Sequence, residues 1–148
     1  MMFITHAAFA LLLGLFVVNK LVLPVQPIVF IAIMLLGSLM PDIDSGTSLI
    51  GKRFKLGSLF FKHRGMVHSI IFMTGFSIAA FLITQDIYYF IAFAVGYFSH
   101  LVLDSMTPTG IMFWWPGKER TRGGIKTTGL WDFLLFFVLV ALDVLLII

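Results

Sequence analysis

Five long hydrophobic runs, separated by shorter polar segments, dominate the pattern of this chain. They cover residues 7–23, 27–40, 69–84, 87–106 and 130–148. Each run approaches the roughly 20 residues that an α-helix needs to cross a bilayer, although the second is short. The pattern therefore predicts an all-α integral membrane bundle of about five transmembrane helices.

Short connections predict that the first four helices form two antiparallel hairpins. Pro24 and Pro27 break the helix between the first and second runs. Gln85 and Asp86 alone separate the third run from the fourth, which leaves room only for a tight turn. Consecutive helices are therefore expected to alternate in direction.

Two longer connections have different characters. Residues 49–62 mix large apolar side chains with four basic ones, a pattern that predicts an interfacial amphipathic helix lying on the membrane surface. Residues 107–129 are rich in Gly, Pro and Thr and contain Trp114 and Trp115. These tryptophans are predicted to anchor the loop at the membrane interface, and the alternative is that they form a lid wall over a lipid substrate.

Composition excludes a soluble globular protein. The 148 residues are 60% hydrophobic and 11% charged, with a mean hydropathy of +1.07, whereas soluble domains carry about 25% charged residues. Residues 1–148 are expected to form a single domain. The N-terminus lacks a basic segment of the signal-peptide type, so the first run is expected to be retained. The absence of cysteine excludes disulfides and thiolate metal sites.

Histidine and aspartate side chains fall near the ends of the hydrophobic runs. Because the helices alternate in direction, these positions are all expected at the same end of the bundle. Polar groups of this kind are costly beside lipid and usually have a function there. The set comprises His6, Asp42, Asp44, His63, His68, His100 and Asp104, with Asp132 as an addition.

Basic residues predict the orientation of the bundle. Nine of the ten Lys and Arg residues fall on the side where the chain begins, and Lys20 falls on the other. Short loops rich in Lys and Arg stay in the cytoplasm. The prediction is a multi-pass protein of the cell membrane with its N-terminus and its polar cluster on the cytoplasmic side. Some of these cations are alternatively held for anionic lipid headgroups.

Imidazole and carboxylate groups are the usual ligands of zinc and similar divalent ions. His100 and Asp104 are four residues apart and share one helix face, and Asp42 and Asp44 follow Pro41 on a short turn. Each group alone has a structural alternative, a helix–helix hydrogen bond or a turn. Together they favour a centre of two or three ions, zinc first and manganese as the alternative.

The spacing of these residues suggests an internal duplication. The interval from His6 to Asp42 equals the interval from His68 to Asp104, 36 residues in each case. Two parallel hairpin repeats would place two half-sites side by side, as a centre with several metal ions requires. A chance coincidence of one pair of intervals is the alternative.

The order of these motifs resembles the YdjM-like family of membrane-bound metal-dependent hydrolases. The strings that carry it are Pro41-Asp42-Ile43-Asp44, His63-Arg64-Gly65-x-x-His68-Ser69, Gly96-Tyr97-x-Ser99-His100-x-x-x-Asp104-x-x-Thr107-Pro108-x-Gly110 and Trp115-Pro116. Val67 stands where the family usually has threonine, and Asp132 matches an acidic residue near the start of its last helix. The ligand order is also similar, more faintly, to that of zinc-dependent phospholipase C, a helical enzyme that acts on phosphodiesters.

The resemblance and the predicted position of the cluster at the headgroup level imply a hydrolase acting on an amphiphile. The expected reaction is cleavage of a phosphoester in a lipid or lipid-linked substrate by a metal-activated water. Asp44 or Asp132 is expected to act as general base. Arg64 is expected to bind a phosphate oxygen, with an effect on topology alone as its alternative.

Two other classes of function remain open at this point. A divalent-ion transporter or channel also needs carboxylates and histidines within a helix bundle, although usually near the midplane of the bilayer. A non-catalytic membrane protein would instead recruit a cytosolic partner through its basic loops. Membrane lipids are the expected partners and nucleic acid is not one. The pattern does not predict an oligomeric state or a role for Asp143.

Overall fold

The computed structural model describes residues 1–44 and 66–148, without the side chains of Ile43 and Asp44. Its five α-helices are α1 (Phe3–Lys20), α2 (Pro27–Leu39), α3 (Ile70–Thr84), α4 (Ile87–Ser105) and α5 (Leu130–Ile147). The only β pairing within these ranges is an isolated bridge between Ile111 and Thr121. The predicted all-α fold of five helices is confirmed, and the predicted interfacial segment 49–62 lies outside the described residues.

Helix length divides the five helices into two groups. Within the described ranges, α1, α4 and α5 are long and apolar enough to cross a membrane, at 18, 19 and 18 residues. The apolar helices α2 and α3 have 13 and 15 residues. At 1.5 Å per residue α2 covers about 20 Å, less than the roughly 30 Å hydrocarbon core of a bilayer. Three helices therefore meet the length for crossing by themselves.

Local sequence explains where the helices begin. Pro27 occupies the first turn of α2, where its missing N–H has no intrahelical partner to lose. The Ser69 hydroxyl caps α3 by accepting from the Phe72 backbone N–H at 3.4 Å. Asp86 caps α4 by accepting from the Tyr88 backbone N–H at 2.7 Å. The predicted tight turn at 85–86 is thus present, with Gln85 in the left-handed conformation.

Helices α2 and α4 pack against each other at the centre of the bundle, because two glycines let their backbones touch. A Cβ atom on Gly96 would lie 1.9 Å from the Met34 carbonyl oxygen. A Cβ atom on Gly37 would lie 2.3 Å from the Phe93 carbonyl oxygen. Small residues allow this close approach of helices. Helix α1 packs on α2 and α5, and α3 packs on α4.

The connection between α4 and α5 folds back on the end of α4. Backbone N–H groups of Gly123 and Ile125 donate to the carbonyl oxygens of Thr107 and Met106 at 3.1 and 3.0 Å. Trp115 packs its ring against Phe72 with centroids 6.1 Å apart, whereas Trp114 is largely exposed. The loop is therefore held at the end of the bundle where α4 finishes and α5 begins.

Candidate metal centre

Five ionisable side chains from four segments meet at one end of the bundle. His6 lies in the first turn of α1, and His100 and Asp104 lie in the last two turns of α4. Asp42 belongs to the 3-10 turn that follows α2, and His68 to the 3-10 turn that precedes α3. The three histidines and Asp104 are almost completely buried. The structure thus brings together five of the seven ligands predicted from the sequence.

Asp104 lies at the centre of this cluster and contacts all three histidines. Its Oδ1 lies 3.3 Å from His6 Nε2 and also contacts the Met1 amino group. Its Oδ2 lies 3.6 Å from His68 Nε2 and 3.8 Å from His100 Nε2. The two carboxylate oxygens therefore face different histidines, an arrangement in which one carboxylate can serve two neighbouring ions.

The imidazole rings lie close to one another. The rings of His6 and His100 stack with centroids 3.8 Å apart and an interplanar angle of 12°. The ring of His68 meets that of His100 edge-on with centroids 5.3 Å apart. Several imidazole groups in one small buried space form a common donor set for a divalent metal ion.

A backbone contact determines the tautomer of His100. Its Nδ1 lies 2.7 Å from the Ser38 carbonyl oxygen. A carbonyl oxygen only accepts, so Nδ1 carries the proton and a neutral ring leaves a lone pair on Nε2. That lone pair faces Asp104 Oδ2 at 3.8 Å and Asp42 Oδ1 at 4.0 Å. Metal-binding histidines are commonly oriented in this way by a hydrogen bond at their other nitrogen.

The donor set fits a divalent cation. Two overlapping groups have potential ligand atoms within 4.8 Å of one another, His6–His100–Asp104 and Asp42–His68–His100. Ligands at about 2.0–2.2 Å from a tetrahedral zinc ion lie roughly 3.3–3.6 Å apart, so only a small contraction is needed. His100 Nε2 and His6 Nδ1 are also buried without a hydrogen-bond partner among the described residues. Such atoms are costly unless something binds them.

Asp42 has a partly buried carboxyl group just beyond the end of α2. Burial raises its pKa above the ordinary value, and the neighbouring His6 and His68 act in the opposite direction. Desolvation disfavours the ionised form, whereas a nearby positive charge favours it. A cation at the cluster would therefore stabilise the carboxylate form that ligation requires.

Asp132 lies beside the cluster and is engaged with the start of α1. Its Oδ1 accepts from the Thr5 hydroxyl at 2.9 Å, and its Oδ2 accepts from the Met2 and Thr128 backbone N–H groups at 3.0 Å each. It belongs to neither group of potential ligands within the described residues. These contacts connect the start of α5 to the turn of α1 that carries His6, which indicates a positioning role.

We expect Asp132→Asn to lower stability more than metal content. The amide retains one acceptor oxygen but places a donor where backbone N–H groups point, and a buried unsatisfied donor costs about 1–3 kcal/mol. Thermal unfolding in detergent and elemental analysis of the same preparation measure the two effects. A variant with parental stability and full metal content but no hydrolytic activity would instead support the general-base role predicted from the sequence.

Some predicted site residues fall outside the described residues, and some residues that shape the cluster were not predicted. His63, Arg64 and the Asp44 side chain lie in the part of the chain that the structure does not describe. Ser38, whose carbonyl orients His100, and the close-packed glycines of α2 and α4 were missed. Gly37-Ser38 and the Gly96–Ser99 segment are small-residue patterns typical of helix contacts, and this signal could have indicated them.

Comparisons with known proteins place the chain in a family. The family model described as YdjM inner membrane protein matches residues 1–147. The chain is 33% identical over 97 residues to the inner membrane proteins YdjM of Escherichia coli (strain K12) and Shigella flexneri, which covers 60% of this chain and 50% of each relative. It is 34% identical over 105 residues to the uncharacterized protein YvsG of Bacillus subtilis (strain 168), covering 66% of this chain and 63% of that protein.

The match therefore spans only half to just under two thirds of the length of these relatives. No solved structure matches the chain. The family match, in contrast, covers nearly every residue and includes all five members of the buried cluster. The resemblance predicted from the motifs is thus confirmed, and the chain belongs to the YdjM family of inner membrane proteins.

Proposed function

We propose that this protein is a membrane-embedded metal-dependent hydrolase that cleaves a phosphoester of a lipid or lipid-linked substrate. The observation that carries the proposal is the buried His100 Nε2, which has no hydrogen-bond partner among the described residues and lies 4.0 and 3.8 Å from carboxylate oxygens of Asp42 and Asp104. Three electron-pair donors directed at one small space in an apolar bundle favour a bound cation over a purely structural cluster.

His6, His68, His100, Asp42 and Asp104 would hold the metal. His100 has one ring nitrogen engaged with Ser38, so it can serve one ion only. The two oxygens of Asp104 face different histidines, so this carboxylate would help to hold more than one ion. Zinc suits the nitrogen and oxygen donors, with manganese as the alternative. Such ions, when bound, supply an activated water and polarise a phosphoryl oxygen.

Other residues of the chain would support the reaction. Asp132 is occupied by three donors, so Asp44 is the better candidate for the general base that accepts a proton from water. Arg64 would bind a phosphate oxygen through its planar guanidinium group and offset negative charge developing in the transition state. The buried position of the cluster limits the access of bulk water to the reacting groups.

The place of the cluster in the bundle supports an amphiphilic substrate. All five described members lie at helix ends or in adjoining turns, where lipid headgroups meet a bundle of this kind. Lys118, Arg120, Arg122 and Lys126 lie in the connection at the same end. Under the rule that basic loops remain in the cytoplasm, this end faces the cytoplasmic leaflet of a multi-pass protein. A phospholipid or polyprenyl phosphate of that leaflet is the proposed substrate class.

Elemental analysis combined with a hydrolysis assay tests the proposal. Protein purified in detergent should contain zinc or manganese, and it should release product from phosphoester lipids. A strong chelator should abolish the release, and re-addition of the metal should restore it. Metal-free protein that does not bind added metal, or hydrolysis unaffected by the chelator, would reject the proposed function.

The same preparations distinguish the alternatives. Metal flux into sealed liposomes without lipid hydrolysis would identify a transporter or channel. Binding of a cytosolic protein that persists in the presence of chelator, again without hydrolysis, would identify a non-catalytic recruiter. The position of the cluster at the helix ends favours the hydrolase over a transporter, because transport sites usually lie near the midplane.

A further inference from the structure

An apolar groove of about 690 Å³ is lined by α4, by α5, by the connection that joins them and by Phe9 of α1. Its wall includes Leu103 and Met106 of α4, Ile125 of the connection, and Trp131 and Leu139 of α5. All are hydrophobic, and the size is within the range of about 300–1,000 Å³ that is usual for small-molecule sites. Nothing in the centre described above uses this groove.

The groove and the centre share neighbouring residues. Leu103 directly precedes Asp104, and Trp131 directly precedes Asp132. Lys126 follows Ile125 and is exposed. The lining of the groove thus includes the chain neighbours of two buried aspartates and of an exposed lysine, and it extends along α5 to Val138 and Leu139. This combination matches a molecule with a long apolar chain and a charged head.

The surroundings of the groove favour a membrane lipid as its occupant. The chain belongs to a family of inner membrane proteins, and α5 has strongly exposed apolar side chains beside the groove, among them Trp131, Leu134 and Val138. A groove left empty in hydrocarbon would lose the dispersion contacts of its lining. The hydrocarbon of the bilayer is as apolar as the groove, so the groove by itself would not select one lipid over another. Selectivity for a lipid must come from its headgroup, and Lys126 suits a negatively charged one.

We propose that this groove binds one acyl chain of an anionic phospholipid from the surrounding leaflet, with its headgroup between Lys126 and the metal centre. The inference rests on the proposed function in one respect, since under that function the lipid bound in the groove is also the substrate.

Two glycines allow a direct test. Gly124 lines this groove and Gly75 lines a separate groove of about 390 Å³ on α3, and a Cβ atom on either would meet nothing within 4 Å.

The experiment uses the full chain in vesicles of phosphatidylethanolamine and phosphatidylglycerol, with a phosphatidylglycerol that carries a photoactivatable diazirine in one acyl chain. Labelled peptides are then identified by mass spectrometry. We expect labelling to concentrate on Met106, Trp131 and Leu134. Gly124→Phe should reduce it about tenfold, the change produced by a loss of about 1.4 kcal/mol in binding free energy. Gly75→Phe should leave it unchanged.

Several results would overturn the inference. Equal labelling of the α3 groove and the α4–α5 groove would show that lipid contacts the protein without a specific site. If the chain cross-links as a dimer and the residues of the α4–α5 groove stay unlabelled, a second copy of the chain fills the groove. Val138→Trp fills the same groove from α5 and provides a second variant should Gly124→Phe fail to fold. Labelling requires no turnover, so a labelled groove in a protein that hydrolyses nothing would reject the proposed function and leave the lipid site standing.

Discussion

Asp104→Asn is expected to remove most of the metal bound under the proposed function and to lower the proposed hydrolysis by more than about 100-fold, beyond the 10- to 100-fold typical of residues that only orient a ligand. The two oxygens of Asp104 lie 3.3–3.8 Å from ring nitrogens of His6, His68 and His100. The amide has no negative charge, and its NH₂ group points a donor at atoms that should bind a cation. The helices should remain folded, since the substitution is nearly isosteric.

Metal content, hydrolysis and helical circular dichroism of the purified variant measure these effects. Asp86→Asn is the matched control, because it is the same substitution at an aspartate that caps α4 at the other end of the helix. Asparagine caps helices about as well as aspartate, so this control should retain metal and activity. Normal metal content in Asp104→Asn would show that the cluster is a structural hydrogen-bond network.

Gly96→Ala is expected to destabilise the bundle by about 3 kcal/mol or more, at the upper end of what overpacking usually costs. The added Cβ would lie 1.9 Å from the Met34 carbonyl oxygen, and a backbone atom cannot move aside as a flexible side chain can. Helices α2 and α4 would have to separate. His100 would then move away from the Ser38 carbonyl that holds its ring, so metal affinity should fall as well.

Thermal unfolding in detergent and metal titration measure the two consequences. Gly75→Ala is the matched control, because it lies in the interior of α3 and its Cβ would meet nothing within 4 Å. Alanine favours helix over glycine by up to about 1 kcal/mol, so this control should be as stable as the parent or slightly more stable. If Gly96→Ala unfolds at the parental temperature, the close contact between α2 and α4 does not exist in solution.

The sequence alone determined the helices and the end of the bundle at which the polar residues gather. Long hydrophobic runs form helices in an apolar environment, and prolines or short polar turns end them. Alternation of direction then places His6, His68 and His100 at the same end without any knowledge of packing. These inferences could be made from the sequence because they depend only on neighbouring residues and on the number of helices. They do not depend on distances between segments that are far apart in the chain.

Only the tertiary structure decided which residues pair. The equal 36-residue intervals suggested half-sites within each hairpin, and His68 does lie 3.6 Å from Asp104 within the second hairpin. Contacts also cross between the hairpins, because His6 of the first lies 3.3 Å from Asp104 of the second. Asp42 of the first likewise groups with His68 of the second. Whether the hairpins arose by duplication stays a prediction. The pairing depends in part on the close contact of α2 with α4 at Gly37 and Gly96, which the pattern of hydrophobic runs does not show.

The orientation of the side chains in the cluster likewise could not be predicted from the sequence. The tautomer of His100 depends on a single carbonyl oxygen of Ser38, 62 residues away in the chain. The engagement of Asp132 depends on donors from Met2, Thr5 and Thr128, which come from two separate segments. Residue types and their spacing specify which chemical groups a centre contains and at which end of a bundle they lie. The distances and hydrogen-bond partners of those groups depend on the packing of helices far apart in sequence, so only the three-dimensional structure decided the contacts of His100 and Asp132.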